Sequence, residues 1–316
     1  MQNVEQQQNY INMSFKQICR SAIAAVVVAI EATLIRLRII KPKVIIHIDG
    51  GICSQMTQWL MGQYYTEGGY DVYYDLEWYK RWGKGLDGKI EMPFELKEMC
   101  PAITVRRLSA FQNEFYRLFL RITEYENNLM PARKNLTHSI YITRYPAVPD
   151  REWWDEAFSR FFGIGRINTV PADKFPIATD QMMCAVHVRR GDLAKLNIPG
   201  HYIVTPTQYF FDTINYVIGK YQKVRFCFFS DELDFIETDI LPFLHLPEDC
   251  DYILMHGNKA YEDLVLVAKC DMIIGSQGTA SRHGARMNPK AGLILPKIEK
   301  DEVVGYDVIR EPVNNL

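Results

Sequence analysis

Three features of the sequence predict an α/β fold built on parallel sheets. Short apolar runs alternate with amphipathic stretches of helical length through the second half, the pattern of repeated βα units. Several of these runs end in polar or charged residues at a turn, as the carboxyl ends of buried parallel strands do. An early run, Val44-Ile45-Ile46-His47-Ile48, passes through Asp49-Gly50-Gly51 straight into a helix-like segment, which is a strand, a glycine turn and a helix start.

A chain of 316 residues has room for two domains. With 48% hydrophobic and 23% charged residues it reads as globular, and a net charge of −2 argues against a general nucleic-acid binder. The seven cysteines are scattered and include no CxxC pair, so they read as reduced, mostly buried thiols in a cytosolic setting. Asn12-Met13-Ser14 and Asn135-Leu136-Thr137 match the glycosylation sequon and are discounted, because the sequon matters only in a secretory protein.

Residues 1–43 form an N-terminal extension with an apolar helix. Its centre, Ala22 to Ile30, follows Lys16 and Arg20, but no small-residue cleavage site completes a signal peptide. Glu31, Arg36 and Arg38 cut the run short of the roughly twenty apolar residues that a spanning helix needs. A helix packed on the protein, or lying at a membrane interface through residues 18–40, is favoured. The expected location is cytoplasmic, with the inner face of a membrane as its extension.

A first domain is expected over 44–175. Lys41-Pro42-Lys43 ends the helix, Val44–Ile48 is a buried strand, and Tyr70–Asp75 is a second. Residues 76–100 read as irregular. Residues 109–127 carry Phe111, Phe115, Leu118, Phe119 and Ile122 at helical spacing, read as a core-facing stripe. Ser139–Thr143 is a short strand that Pro146 and Pro149 follow, and Trp153 to Phe162 is a helix. Gly163, Gly165, Pro171 and Pro176 put the junction near 165–180.

A second domain is expected over 176–300. Strands are read at 183–189, 224–229, 252–255, 272–274 and 293–295, and helices near 207–219, 233–241, 260–269 and 280–287, with a tail at 301–316. Three strand ends carry polar groups: Arg189, Arg190 and Asp192; Ser230, Asp231 and Glu232; and Ser276, Gln277, Thr279 and Ser281. In a parallel sheet such ends share one edge and can meet on one ligand. Two guanidinium forks there suit a phosphate or diphosphate held without a metal. The stretch from Ser276 to Ser281 precedes a helix whose amino end favours an anion, although a simple N-cap accounts for Ser and Thr there equally well.

On these residues the chain resembles a known family. His187-Val188-Arg189-Arg190-Gly191-Asp192 looks like the HxRRxD signature of α-1,2-fucosyltransferases, glycosyltransferase family 11, and of their α-1,6 and protein O-fucosyl relatives. Asp49 to Gln58 is similar to the family's first block, GGLGNQMFQ, with Ser54 where the family has Asn. Ser230-Asp231 resembles its FSDD block. Asp263-Leu264 through Ala268 to Ile274, and Asn288-Pro289 with Leu295-Pro296-Lys297, resemble its later segments in order. The family's aromatic SSFSWWGAWL loop is replaced by Ser276 to Ala285.

The resemblance implies a GT-B-like architecture, two Rossmann-like domains facing across a cleft. It implies inverting transfer of L-fucose from GDP-fucose to a glycan hydroxyl, α-1,2 to a terminal galactose, with no required metal or other cofactor. Arg190, with Arg189, would take the charge of the departing diphosphate. His187, Ser230, Asp231 and the segment Ser276, Gln277, Gly278, Thr279, Ala280 and Ser281 would hold the donor. His187 is read as a packed strand residue rather than a catalyst. Inversion needs a base, and Asp192 and Asp49 are both candidates. Gly50, Gly51, Ser54 and Gln55 would face the acceptor. Three rivals stand beside this reading: a metal-dependent sugar transferase using the DxD of Asp249-Cys250-Asp251, a non-catalytic nucleotide-sugar-binding protein, and a membrane scaffold that rests only on residues 18–40.

Overall fold

The computed structural model describes residues 22–85, 88–119, 121–122, 136–143, 150–167, 170–174, 180–196 and 203–313. The expectations for Lys16, Arg20, the sequon asparagines 12 and 135, the helix beyond residue 122, and Pro146, Pro149 and Pro176 lie outside them. Two compact units divide the chain. The first is Met1–Gly50, Ser54–Gly83 and Ile103–Trp154; the second is Gly51–Cys53, Lys84–Ala102 and Asp155–Leu316.

The elements run in the order α1 (residues 22–36), β1 (Lys43–His47), α2 (Ile52–Glu67), β2 (Asp71–Asp75), α3 (Glu77–Arg81), α4 (Leu96–Met99), α5 (Ala110–Phe119), β3 (Arg121–Ile122), β4 (Ile140–Ile142) and α6 (Arg151–Phe162). The first unit's sheet has the order β2-β1-β4-β3, all parallel. Val44, Ile45 and Ile46 of the internal strand β1 are at most 1% exposed, which is why that strand is continuously apolar. Gly50 turns the chain from β1 toward α2 at φ 72, a left-handed backbone that a Cβ would penalise.

Three expectations for the first half of the chain are corrected. The stretch read as one helix over 109–127 is helical only to Phe119, and Arg121–Ile122 pairs with β4 instead. Phe111, assigned to the core, is 81% exposed; the buried positions are Asn113 and Tyr116, with Phe115 and Phe119 partly buried against Ile45 and Tyr141. Asn113 turns inward because its amide donates to Asp75 Oδ1 at 3.3 Å. Residues 76–100, read as irregular, hold the short helices α3 and α4.

α1 packs Val27 and Val28 onto the cluster around Ile45 and Tyr141. Glu31, which interrupts the apolar run, is an anchor: its carboxylate accepts from the amide and hydroxyl of Ser139 at 2.8 and 2.6 Å. No described helix is long and apolar enough to cross a membrane.

The second unit continues with β5 (Met182–Val188), α7 (Gly191–Leu196), α8 (Thr207–Lys220), β6 (Val224–Ser230), α9 (Leu233–Phe235, continuing as helical turns to Phe243), β7 (Asp251–Leu254), α10 (Ala260–Lys269), β8 (Met272–Gly275), α11 (Ala280–Met287), β9 (Gly292–Glu299) and β10 (Glu302–Arg310). The sheet order is β10-β9-β8-β5-β6-β7, with only β10 antiparallel. Counted from β5 this is the order of a dinucleotide-binding Rossmann sheet, and the strand order reverses between β5 and β8. Cys184, Val186, Phe226, Phe228, Ile274 and Ile294 are fully buried with Phe210, Ile214 and Val217 of α8.

The expected tail at 301–316 is for the most part a strand of this sheet. Lys300 and Asp301, both at positive φ, form the two-residue turn of a β9–β10 hairpin. Arg310 then donates to the carbonyls of Ala285, Asn288 and Ala291, so its cation sits at the carboxyl end of α11. The period-two pattern of β10 was present in the sequence, but its half-exposed residues made it look like a tail.

Candidate active site

The three strand ends singled out in the second half meet around the end of β5. The Arg189 amide donates to Ser276 Oγ at 2.8 Å, and the Ser276 amide donates to the His187 carbonyl at 3.0 Å. On the other side, Ser230 Oγ donates to the Val188 carbonyl at 2.8 Å. Asp231 Oδ1 accepts from the amides of Arg190 and Gly191 at 2.9 and 3.1 Å, and its carboxylate pairs with the Arg189 guanidinium. Asp231, expected to hold the donor, here caps the turn into α7. Gly191 is dictated by that approach, because a Cβ there would come within 2.5 Å of Asp231 Oδ2.

Arg190 is held differently. Its Nε lies 3.3 Å from Glu232 Oε2, and its guanidinium stacks over the Phe235 ring at 4.0 Å. Each arginine therefore faces a carboxylate. The Arg189 and Asp231 side chains are 25% and 23% exposed, and a pair this open to water is worth on the order of 0–1 kcal/mol.

The segment after β8 is braced from within the unit. The Gln277 amide donates to Thr205 Oγ1 at 3.1 Å, and Gln277 Oε1 accepts from the Ile203 amide at 2.8 Å. Gly278 follows at φ 146, Thr279 occupies the N-cap position without a side-chain cap, and Ala280 opens α11. Ser281 is fully buried, with Oγ 3.1 Å from His187 Nδ1. Burial, helped by the Arg189 charge, pushes His187 down to about 4, so the ring is neutral at physiological pH and belongs to the packing of the strand end. Asp192 lies in the first turn of α7, and its side chain is outside the described residues.

The first unit has its own polar cluster, on the ends of β1 and β2. Asp49 is clamped by Gln58: its amide donates to Gln58 Oε1 at 2.9 Å and its Oδ1 accepts from Gln58 Nε2 at 2.7 Å. Asp49 Oδ2 lies 3.9 Å from His47 Nε2. Behind His47, Asp75 is 2% exposed and accepts from Tyr141 Oη at 2.5 Å and from the Glu77 amide at 2.9 Å. Burial alone would raise the Asp75 carboxyl, but interactions with His47, Tyr141 and Glu77 outweigh it and hold the group below its ordinary value. Gly51, grouped with the second unit, immediately precedes α2, and Ser54 lies in its first turn. Gln55, expected to face an acceptor, is fully buried and donates to the Gly50 carbonyl at 3.2 Å, which also accepts from Tyr79 at 2.9 Å.

The DxD pattern serves structure. Asp251 opens β7 and takes a bidentate pair from Arg225 at 2.8 and 2.6 Å, at the strand's amino end and so away from the edge bearing Arg189 and Ser276. Among the described residues no group of three or more His, Cys, Asp or Glu is arranged to hold a metal ion.

Sequence reasoning did not nominate Thr205, Phe235, His47, Asp75 or Tyr141. Asp75 was within reach, since it closes a strand just as Asp231 follows one. Tyr141 is mid-strand in an apolar run, and only the β1–β4 pairing brings it to His47.

Residues 176–302 match the model of Glycosyl transferase family 11, a stretch that spans the sheet from before β5 through β9. No curated protein matches the chain in sequence. Among solved structures, the fucosyltransferase NodZ from Bradyrhizobium is 11% identical, with a TM-score of 0.44 over 86% of this chain and 100% of that one. An Arabidopsis thaliana FUT1 mutant in complex with GDP is also 11% identical, at 0.43 over 83% and 72%. POFUT1 in complex with GDP is 10% identical, at 0.40 over 78% and 94%.

Proposed function

We propose that the chain is an inverting, GDP-fucose-dependent fucosyltransferase of the GT-B kind, in which the second unit binds the donor and the first receives the acceptor. The observation that carries this reading is the meeting of Arg189, Asp231 and Ser276 where the strand order of a Rossmann-ordered sheet reverses, inside the stretch that matches the family 11 model. Arg190, assisted by Arg189, stabilises the diphosphate as the sugar–phosphate bond breaks, which is the task a divalent cation performs in metal-dependent transferases. Gln277, Gly278 and the amino end of α11 hold phosphate or fucose oxygens. The acceptor is a glycan hydroxyl, with α-1,2 linkage to a terminal galactose as the working assignment; its proton must pass to a base, for which the sequence nominated the carboxylates Asp49 and Asp192 and the structure adds a third group, argued below. Any membrane contact uses the outward face of α1, where Ile23, Val26 and Ile30 are half or more exposed.

A thermal-shift panel of GDP-fucose, GDP, GDP-mannose and UDP-sugars tests the assignment, because a ligand that binds only the native state raises its melting temperature. Stabilisation confined to GDP-fucose and GDP is expected. A stronger response to UDP-sugars would overturn it.

A further inference from the structure

The polar cluster on the first unit's strand ends has a geometry that locates a proton. Tyr141 has one hydroxyl proton and donates it to Asp75 Oδ2 at 2.5 Å. His47 Nδ1 lies 3.2 Å from the same hydroxyl oxygen, which has no second proton to give, so Nδ1 must be the donor in that contact. In the neutral ring, the chain Nδ1–H to Tyr141 Oη–H to Asp75 therefore fixes the imidazole tautomer and leaves Nε2 as the acceptor. Nε2 points to the side where Asp49 Oδ2 stands at 3.9 Å, and both side chains remain accessible, at 18% and 24% exposure. β1 is where the first sheet's strand order reverses toward β4, the position at which open α/β sheets bind ligands.

We propose that His47 is the general base of the transfer reaction, with Asp75 and Tyr141 as positioning residues. The inference rests on the fucosyl transfer proposed for the chain. Nε2 takes the proton of the acceptor hydroxyl while an electron pair of that oxygen forms the bond to the anomeric carbon. The bond from that carbon to the diphosphate oxygen breaks, and its electron pair leaves with GDP. The imidazolium then stands between the carboxylates of Asp49 and Asp75 and returns its proton to water. The other charged groups acting on this cluster are Glu114 and Arg117 of α5, which pair with each other, Arg117 bonding through Nε at 3.0 Å.

The test has two arms on the full chain. In the first, histidine ¹⁵N shifts report the tautomer of His47; the Nδ1–H form is expected, and an Nε2–H form would overturn the proposal. In the second, initial rates are measured against pH for the wild type, His47→Gln and Tyr141→Phe, with GDP binding followed by calorimetry. His47→Gln should lose roughly 10²-fold or more in kcat and lose the acid limb of the profile, with GDP affinity unchanged. Should that variant fail to fold, Tyr141→Phe, which removes only the hydroxyl, should lower kcat, leave the acceptor KM unchanged and displace the acid limb. A His47→Gln enzyme with wild-type rate and acid limb refutes the role of His47 while leaving the transferase reading intact. A wild type that neither binds GDP nor transfers fucose removes both.

Discussion

The backbone amide of Arg189 donates to the side-chain hydroxyl of Ser276, 87 residues away, at 2.8 Å. That contact ties the ends of β5 and β8 together where the sheet changes direction. Ser276 is 1% exposed, so Ser276→Ala leaves a partly buried amide without its partner. The variant should lose about 1–3 kcal/mol of stability, read as a lower denaturant midpoint, and bind GDP more weakly in calorimetry.

Arg190 stacks on Phe235 and offers a planar fork, which a lysine cannot reproduce. Arg190→Lys should keep the charge yet cut the transfer rate by one to two orders of magnitude, and Arg190→Ala should cut it further. Initial rates at saturating donor measure this. Equal activity in the lysine variant would show that charge alone suffices.

Gly191 makes room for Asp231. Gly191→Ala should push the carboxylate off the amides of residues 190 and 191, lowering both the melting temperature and GDP affinity. Differential scanning fluorimetry with and without GDP separates the two effects.

His283 is 4% exposed and lies edge-on to Phe158 at 5.0 Å. Burial and the nearby Arg286 charge push it down to about 4. With a folded value below the unfolded one, the unfolded chain binds more protons in the interval between, so stability present above about pH 6.5 is lost as pH falls toward 4. His283→Gln should flatten that slope in melts recorded across the interval, by about 1–3 kcal/mol at its acid end.

Glu95 acts in the opposite sense. It is 6% exposed, and burial, with Glu98 adding repulsion, raises its carboxyl to about 7 despite Lys259. The folded state holds this proton more tightly than the unfolded chain, so the associated stability is complete below about pH 4.5 and is lost as pH rises through 7. Glu95→Gln should therefore stabilise the protein at neutral pH, by on the order of 1–3 kcal/mol, and have little effect in acid; chemical denaturation at both ends checks the sign.

By itself the sequence determined the parallel α/β architecture and the donor-side candidates. The information there is local: an apolar run bounded by a turn marks a buried strand, and the polar residues just past it must lie at its end. Arg189, Ser230, Asp231 and Ser276 were all legible in this way. What those residues hold was not, because Asp231 became a cap and a counter-ion only once β6 was set beside β5. The tertiary structure also decided the His47–Tyr141–Asp75 chain, which joins three strands over as many as 94 residues. It decided the fate of Phe111 and of the C-terminal strand as well. Periodicity says which residues share a face, but which face finds a partner is settled by sheet order and by the few buried polar groups, such as Asn113 and Glu31, that must find theirs.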